Sequence, residues 1–154
     1  MAVGTAISVD EYLRTSYSPD CDYLDGEAVE RNLGEKRHSI VQREILFYLA
    51  ARYPKLRRLI FPEQRVQVGA TRFRVPDICV LSSEAPDEEI VRTPPILCIE
   101  ILSPEDTMTR TLGRVKDYLD MGVPACWIVD PESRDGILRA GGIEMPIAEI
   151  FEEV

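Results

Sequence analysis

Phe73-Arg-Val-Pro-Asp-Ile-Cys-Val-Leu81 and Pro94-Pro-Ile-Leu-Cys-Ile-Glu-Ile-Leu102 each carry a single carboxylate inside a largely apolar run. Runs of this length and composition read as buried strands. An ionised carboxylate in such a strand is costly unless it is paired, hydrogen-bonded or bound to a cation. Asp77 and Glu100 therefore demand compensation, and two such strands side by side would bring two hard oxygen donors together as a metal site. The structural alternative is a pair of buried acids satisfied by arginines such as Arg74. Pro76 lacks a ladder donor and predicts an edge or a local bend beside Asp77.

Around these strands the apolar spacing alternates between helical and extended periods. Ser8 predicts an N-cap for a short helix over residues 8–16, and Asp25-Gly26 predicts the turn of a hairpin within residues 23–29. Ile40, Val41, Ile45, Tyr48 and Leu49 predict a helix over 38–52, with Pro54 just beyond its end. Residues 59–68 predict a strand on the alternation Arg65-Val66-Gln67-Val68. Gly69 and Ala70 turn the chain, and 72–81 is the partner strand. An acidic loop over 82–95 leads into the strand 96–102. Residues 106–121 predict a helix with Met108, Leu112, Val115 and Leu119 on its inward stripe and Gly122 as its stop. Residues 125–129 predict another buried strand. Ile147, Ile150, Phe151 and Val154 recur at helical spacing; they are expected to cap the core, a dimer contact being the other reading. From residue 38 the order is helix, strand, strand, strand, helix, strand. That order gives an α/β fold with a mixed central sheet flanked by helices.

The 154 residues, 45% of them hydrophobic, suit a single domain over 1–154. Cys21, Cys79, Cys98 and Cys126 form no C-x-x-C pair, and the last three fall in apolar strands, which predicts reduced, structural thiols. His38 is the one histidine, so a zinc module is excluded. No basic leader and no bilayer-length apolar run is visible, which predicts a cytoplasmic protein with no membrane partner. The net charge of −9 argues against a protein that coats nucleic acid through a broad positive field. Yet residues 31–75 hold eleven basic residues against three acidic ones. Arg37, Arg43, Arg72 and Arg74 are candidates in this segment for a phosphate-facing surface, although a solvated charged face would look the same.

The residues Asp22-Tyr-Leu-Asp-Gly26, Gly34-Glu-Lys-Arg-His38, Pro76-Asp77, Glu100-Ile-Leu-Ser-Pro104, Tyr118, Gly122-Val123 and Trp127-Ile-Val-Asp-Pro131 stand in an order that resembles the Uma-two family of endonuclease-type proteins. That family is placed in the PD-(D/E)XK superfamily with the restriction-endonuclease-like fold. The resemblance implies Mg²⁺ (or Mn²⁺) held by Asp77, Glu100 and the backbone carbonyl of Ile101, and metal-dependent hydrolysis of DNA phosphodiesters. By analogy with the fold, two cuts in a duplex call for two sites, hence a homodimer.

Where the superfamily places a lysine two positions after the second acid, this chain has Leu102. The resemblance moves the lysine to the position of Arg114, whereas helical projection of the apolar stripe points to Lys116. Both are kept as catalytic candidates. Arginine keeps the charge but does not serve as a base. The family's aspartate four residues earlier is replaced by Arg110. Glu63, His38, Asp22 and Glu44 are further candidates, with bland readings as a strand-end acid, a helix-start packing residue, a turn-stabilising acid and an ion-pair partner. The function expected is a metal-dependent endonuclease. The alternatives are a catalytically inactive nuclease-fold domain serving as a nucleic-acid-binding or interaction module, and a hydrolase acting on another phosphodiester.

Overall fold

Val75, Pro76 and Asp77 break what the sequence pattern predicts as one strand. The computed structural model describes residues 6–32, 34–133 and 135–151. Met1 to Thr5 and Val154, the last residue of the predicted tail stripe, lie outside the described residues. The order is α1 (Val9–Arg14), β1 (Cys21–Leu24), β2 (Glu27–Glu30), α2 (Lys36–Arg52), a 3-10 turn (Pro54–Leu59), β3 (Ile60–Pro62), β4 (Val66–Gly69), β5 (Arg72–Arg74), β6 (Ile78–Val80), β7 (Leu97–Ile101), α3 (Met108–Met121), β8 (Cys126–Val129), β9 (Ile137–Ala140), β10 (Ile143–Pro146) and α4 (Ile147–Phe151).

One sheet has the order β2-β1-β5-β4 and a second β3-β6-β7-β8, with β9 and β10 as a separate hairpin. The predicted strand pair 59–68 and 72–81 is thus a single long hairpin whose arms cross from one sheet to the other. Pro62 pairs with Ile78 in the second sheet and Val66 with Arg74 in the first. The crossing lies at Glu63, which has a left-handed φ of 50°, and at Pro76, which cannot donate to a ladder. The second sheet is mixed, with β7 and β8 parallel across the α3 crossover and the other pairs antiparallel.

Local chemistry explains the smaller elements. Ser8 caps α1 by accepting the Glu11 amide at 3.1 Å. Asp25 and Gly26 both take positive φ, as a two-residue hairpin turn requires. Gly122 closes α3 in the left-handed region, its amide reaching back to the carbonyls of Leu119 and Tyr118. The β9–β10 hairpin has no counterpart in the predicted elements; Gly141-Gly142 between its strands is the turn signal that would have marked it.

Period-two alternation divides the core. Ile78, Val80, Leu97, Ile99 and Ile101 pack with Val41, Ile45 and Leu49 of α2 and with Ile147, Ile150 and Phe151 of α4, so the tail caps the core as expected. Cys79 and Cys98 pack instead with Tyr118 and Val123, on the α3 side. All four cysteines are free, and burial pushes the Cys79 thiol up to about 12. Tyr12, Tyr23 and Phe73 form a third cluster between α1 and the first sheet. Among the described residues no helix is long and apolar enough to cross a membrane.

The stripe predicted on α3 is not the face that folds inward; of its members only Val115 is half-buried. Met108, Leu112 and Leu119 are 74%, 54% and 53% exposed, while Thr111, Asp117 and Tyr118 are buried. Asp117 is drawn inward by ion pairs to Arg72 and Arg74, a cause that apolar periodicity cannot register. Ile99→Ala is expected to cost about 2–5 kcal/mol in chemical denaturation. Leu112→Ser should stay within about 0.5 kcal/mol of the wild type in the same measurement.

Candidate active site

Strand parity and register bring Asp77 and Glu100 together. In β7, Leu97, Ile99 and Ile101 face α2, which turns Cys98 and Glu100 toward α3. The ladder ends at the rung Ile78↔Ile99, and Asp77, just before β6, reaches β7 through its side chain, which accepts the Ile101 amide next to Glu100. Both acids line one cavity of about 340 Å³, at 3% and 4% exposure.

Asp77 is held on every side. Its Oδ2 accepts the Ile101 amide at 2.7 Å, and its Oδ1 lies 2.9 Å from Arg31 Nη2 and 3.2 Å from His38 Nε2. Its backbone carbonyl accepts Gln42 Nε2 at 2.9 Å and the Glu63 amide at 3.2 Å. Burial pulls the Arg31 guanidinium down, but Asp77 and the neighbouring carboxylates outweigh it and raise its pKa. His38 follows the same pattern, burial opposing and the hydrogen bond and charge of Asp77 prevailing, so its imidazole is raised.

Glu100 accepts the Tyr118 hydroxyl at Oε1 and has Arg114 Nη1 3.9 Å from Oε2. Burial, then the nearby charge of Asp77, push its carboxyl well above the usual range, against the pull of Arg114 and Tyr118. Arg114 and Tyr118 sit one turn apart on the inward face of α3. Arg114 is oriented by Asp106, whose Oδ1 takes Nη2 at 2.5 Å. Asp106 also accepts the Ser103 amide at 2.9 Å and Asn32 Nδ2 at 3.1 Å. Burial raises the Asp106 carboxyl, but Arg114 and these donors hold it below its ordinary value.

The cationic candidate in the cavity is therefore Arg114. Lys116, favoured by helical projection, has a side chain 73% exposed and pairs with Asp120 across one turn. Its placement follows from which face of α3 folds inward. Of the further candidates, His38 and Glu63 line the cavity, Glu63 as an exposed rim residue paired with Arg31 at 3.4 Å. Asp22 also lines it, accepting Arg74 Nη1 at 2.9 Å and the Val75 amide at 3.0 Å. Glu44 lies outside the cavity and pairs with Arg43 at 2.9 Å, its bland reading. The four phosphate-facing candidates are engaged with acids: Arg37 with Glu132, Arg43 with Glu44, Arg72 with Asp25 and Asp117, and Arg74 with Asp22 and Asp117. Among them Arg74 alone borders the cavity, and it is buried. The arginines that face Asp77 and Glu100 are Arg31 and Arg114, not Arg74. Arg31 belongs to the basic segment without a mark that sets it apart, and Asp106 carries no sequence signal; only tertiary contacts single them out.

Among the described residues no group of three or more His, Cys, Asp or Glu side chains is arranged to hold a metal ion. Two carboxylates in one cavity are nonetheless a donor set suited to Mg²⁺, which binds hard oxygens and retains several waters.

The Uma2 family model, described as "Putative restriction endonuclease", matches residues 9–135. The chain belongs to the Uma2 family. No curated protein matches the chain. A solved structure from Anabaena variabilis ATCC 29413, described as "a putative nuclease belonging to DUF820", superposes with a TM-score of 0.77 at 22% identity, covering 94% of this chain and 97% of that one. The shared architecture is the restriction-endonuclease-like mixed α/β fold.

In this Uma2 protein the depressed carboxyl of Asp106 stabilises the fold above the ordinary carboxylate range, and that contribution is lost as pH falls through its folded value. Thermal melts of wild type and Asp106→Asn should therefore differ fully near neutral pH and begin to converge only below about pH 4. A difference that stays constant down to pH 3 would contradict the assignment.

Proposed function

We propose that this protein hydrolyses DNA phosphodiester bonds in a divalent-metal-dependent reaction within the cavity bounded by Asp77 and Glu100. The observation that carries the reading is that two almost fully buried acids, one just before β6 and one in β7, line one cavity with Arg114, Arg31 and His38. Membership of the Uma2 family and the likeness to the Anabaena structure support it. Asp77, Glu100 and the Ile101 carbonyl would hold Mg²⁺ or Mn²⁺. When bound, the ion polarises the scissile phosphodiester and lowers the pKa of an attacking water.

The chain's own residues supply the rest. Burial raises the Glu100 carboxyl, and a cation bound beside it would favour its ionised form. Arg114, fixed by Asp106, presents a guanidinium toward Glu100 and stabilises charge that develops on the phosphoryl group. It acts as a charge and not as a base. His38 Nε2 lies 3.2 Å from Asp77 Oδ1, so its imidazole steadies that carboxylate. DNA is the substrate, and a homodimer would supply the two sites that a double-strand cut needs. With a net charge of −9 the protein should bind DNA weakly and with a steep salt dependence.

A specific observation favours the second reading, a non-catalytic nuclease-fold module. Arginine stands at position 114, where the resemblance calls for lysine. Nicking of supercoiled plasmid at low salt with Mg²⁺ or Mn²⁺ separates the two. Metal-dependent nicking is expected in the wild type, with a loss of at least about 100-fold in folded Asp77→Ala and Glu100→Ala proteins, and retention in Lys116→Ala. No nicking by a folded, metal-loaded wild type would contradict the nuclease reading and favour the module.

A further inference from the structure

We infer that Arg31 is a resident counter-cation at Asp77 that a divalent ion must displace, so that the segment following β2 sets the metal affinity of the site. The inference rests on the reading of Asp77 and Glu100 as metal ligands. Arg31 Nη2 lies 2.9 Å from Asp77 Oδ1, and both side chains are largely buried. A buried guanidinium and carboxylate have little water to replace each other, so each depends on its partner.

The arginine is delivered to this position by contacts on both sides of it. Asn32 Nδ2 donates to Ser103 Oγ at 2.5 Å and to Asp106 Oδ1 at 3.1 Å, and Arg110 Nη2 donates to the Glu30 carbonyl at 3.4 Å. The strand end and loop therefore lie tied across the cavity. Arg31 also has somewhere to go: its Nη1 reaches Glu63 Oε1 at 3.4 Å on the exposed rim. On leaving Asp77 it would keep Glu63 as a partner, so its charge would not be stranded.

A guanidinium and a dication cannot share Oδ1 without strong repulsion. Whatever the Arg31–Asp77 pair contributes when no metal is bound is therefore subtracted from the free energy of metal binding, since only the difference between the two states counts.

The test is Mn²⁺ binding to the full chain, followed by calorimetry and by the free-ion electron paramagnetic resonance signal, in wild type, Arg31→Gln, Arg31→Lys and Asp77→Asn. Arg31→Gln is expected to bind Mn²⁺ about tenfold more tightly than wild type, and Asp77→Asn to lose the site. Arg31→Lys keeps the charge without the fork that spans Asp77 and Glu63, and is expected to bind severalfold more tightly; it carries the test if Arg31→Gln fails to fold. Affinity unchanged or weakened in the folded Arg31 variants, with wild-type binding lost in Asp77→Asn, would overturn the role of Arg31 and leave the metal site standing. Mn²⁺ bound by none of the proteins, or bound equally well by Asp77→Asn, would overturn the metal site and the inference together.

Discussion

Asp77 lies where the chain crosses between two sheets, and both carboxylate oxygens and its backbone carbonyl are engaged by other segments. Its side chain takes the Ile101 amide from β7, Arg31 from beyond β2 and His38 from α2, and its carbonyl takes Gln42 and the Glu63 amide. Removing one partner of a buried ion pair typically costs about 3–5 kcal/mol, because the remaining charge is left without compensation. The acid that defines the cavity is thus also the residue through which β7, α2, the β2 exit and the bend of the long hairpin are held in one arrangement. Stability and the geometry of the site are the same set of contacts here.

The positive segment has a related logic. Arg72 and Arg74 meet Asp25, Asp22 and Asp117 in a continuous ionic chain that fastens the first sheet to α3. Arg65 binds Asp20 through two nitrogens and lies over the Tyr12 ring, fastening the α1 end to β4. Arg65, Arg72 and Arg74 are therefore internal wiring between acidic and basic segments, whereas Arg52, Lys55, Arg57 and Arg58 stay exposed around the end of α2. What remains directed at the cavity is smaller and better defined: Arg31 and His38 at Asp77, Arg114 at Glu100.

The two acids were legible in the sequence because burial of a lone carboxylate is visible as an interruption of an apolar run. Pro76 announced the bend, and the pattern of α2, β7 and α4 followed from apolar spacing that burial decides. Three things were not legible, each for a physical reason. The division of each hairpin arm between two sheets depends on the backbone at Glu63 and Pro76, and alternation does not change across it. The buried face of α3 is chosen by ion pairs and by the Tyr118–Glu100 hydrogen bond, so Met108, Leu112 and Leu119 pointed the wrong way and drew Lys116 with them. Arg31 was one of eleven basic residues in its segment, and only the closing of the β2 exit over the cavity distinguishes it. Arg114, the position that the family resemblance singles out, lines the cavity, whereas Lys116, to which periodicity points, is exposed.

The most direct test of the account is the anomalous difference density of crystals soaked in Mn²⁺. The account predicts one strong peak in the cavity, about 2.2 Å from oxygens of both Asp77 and Glu100. A saturating soak that leaves the cavity without a peak, or that places the ion away from both acids, would contradict it.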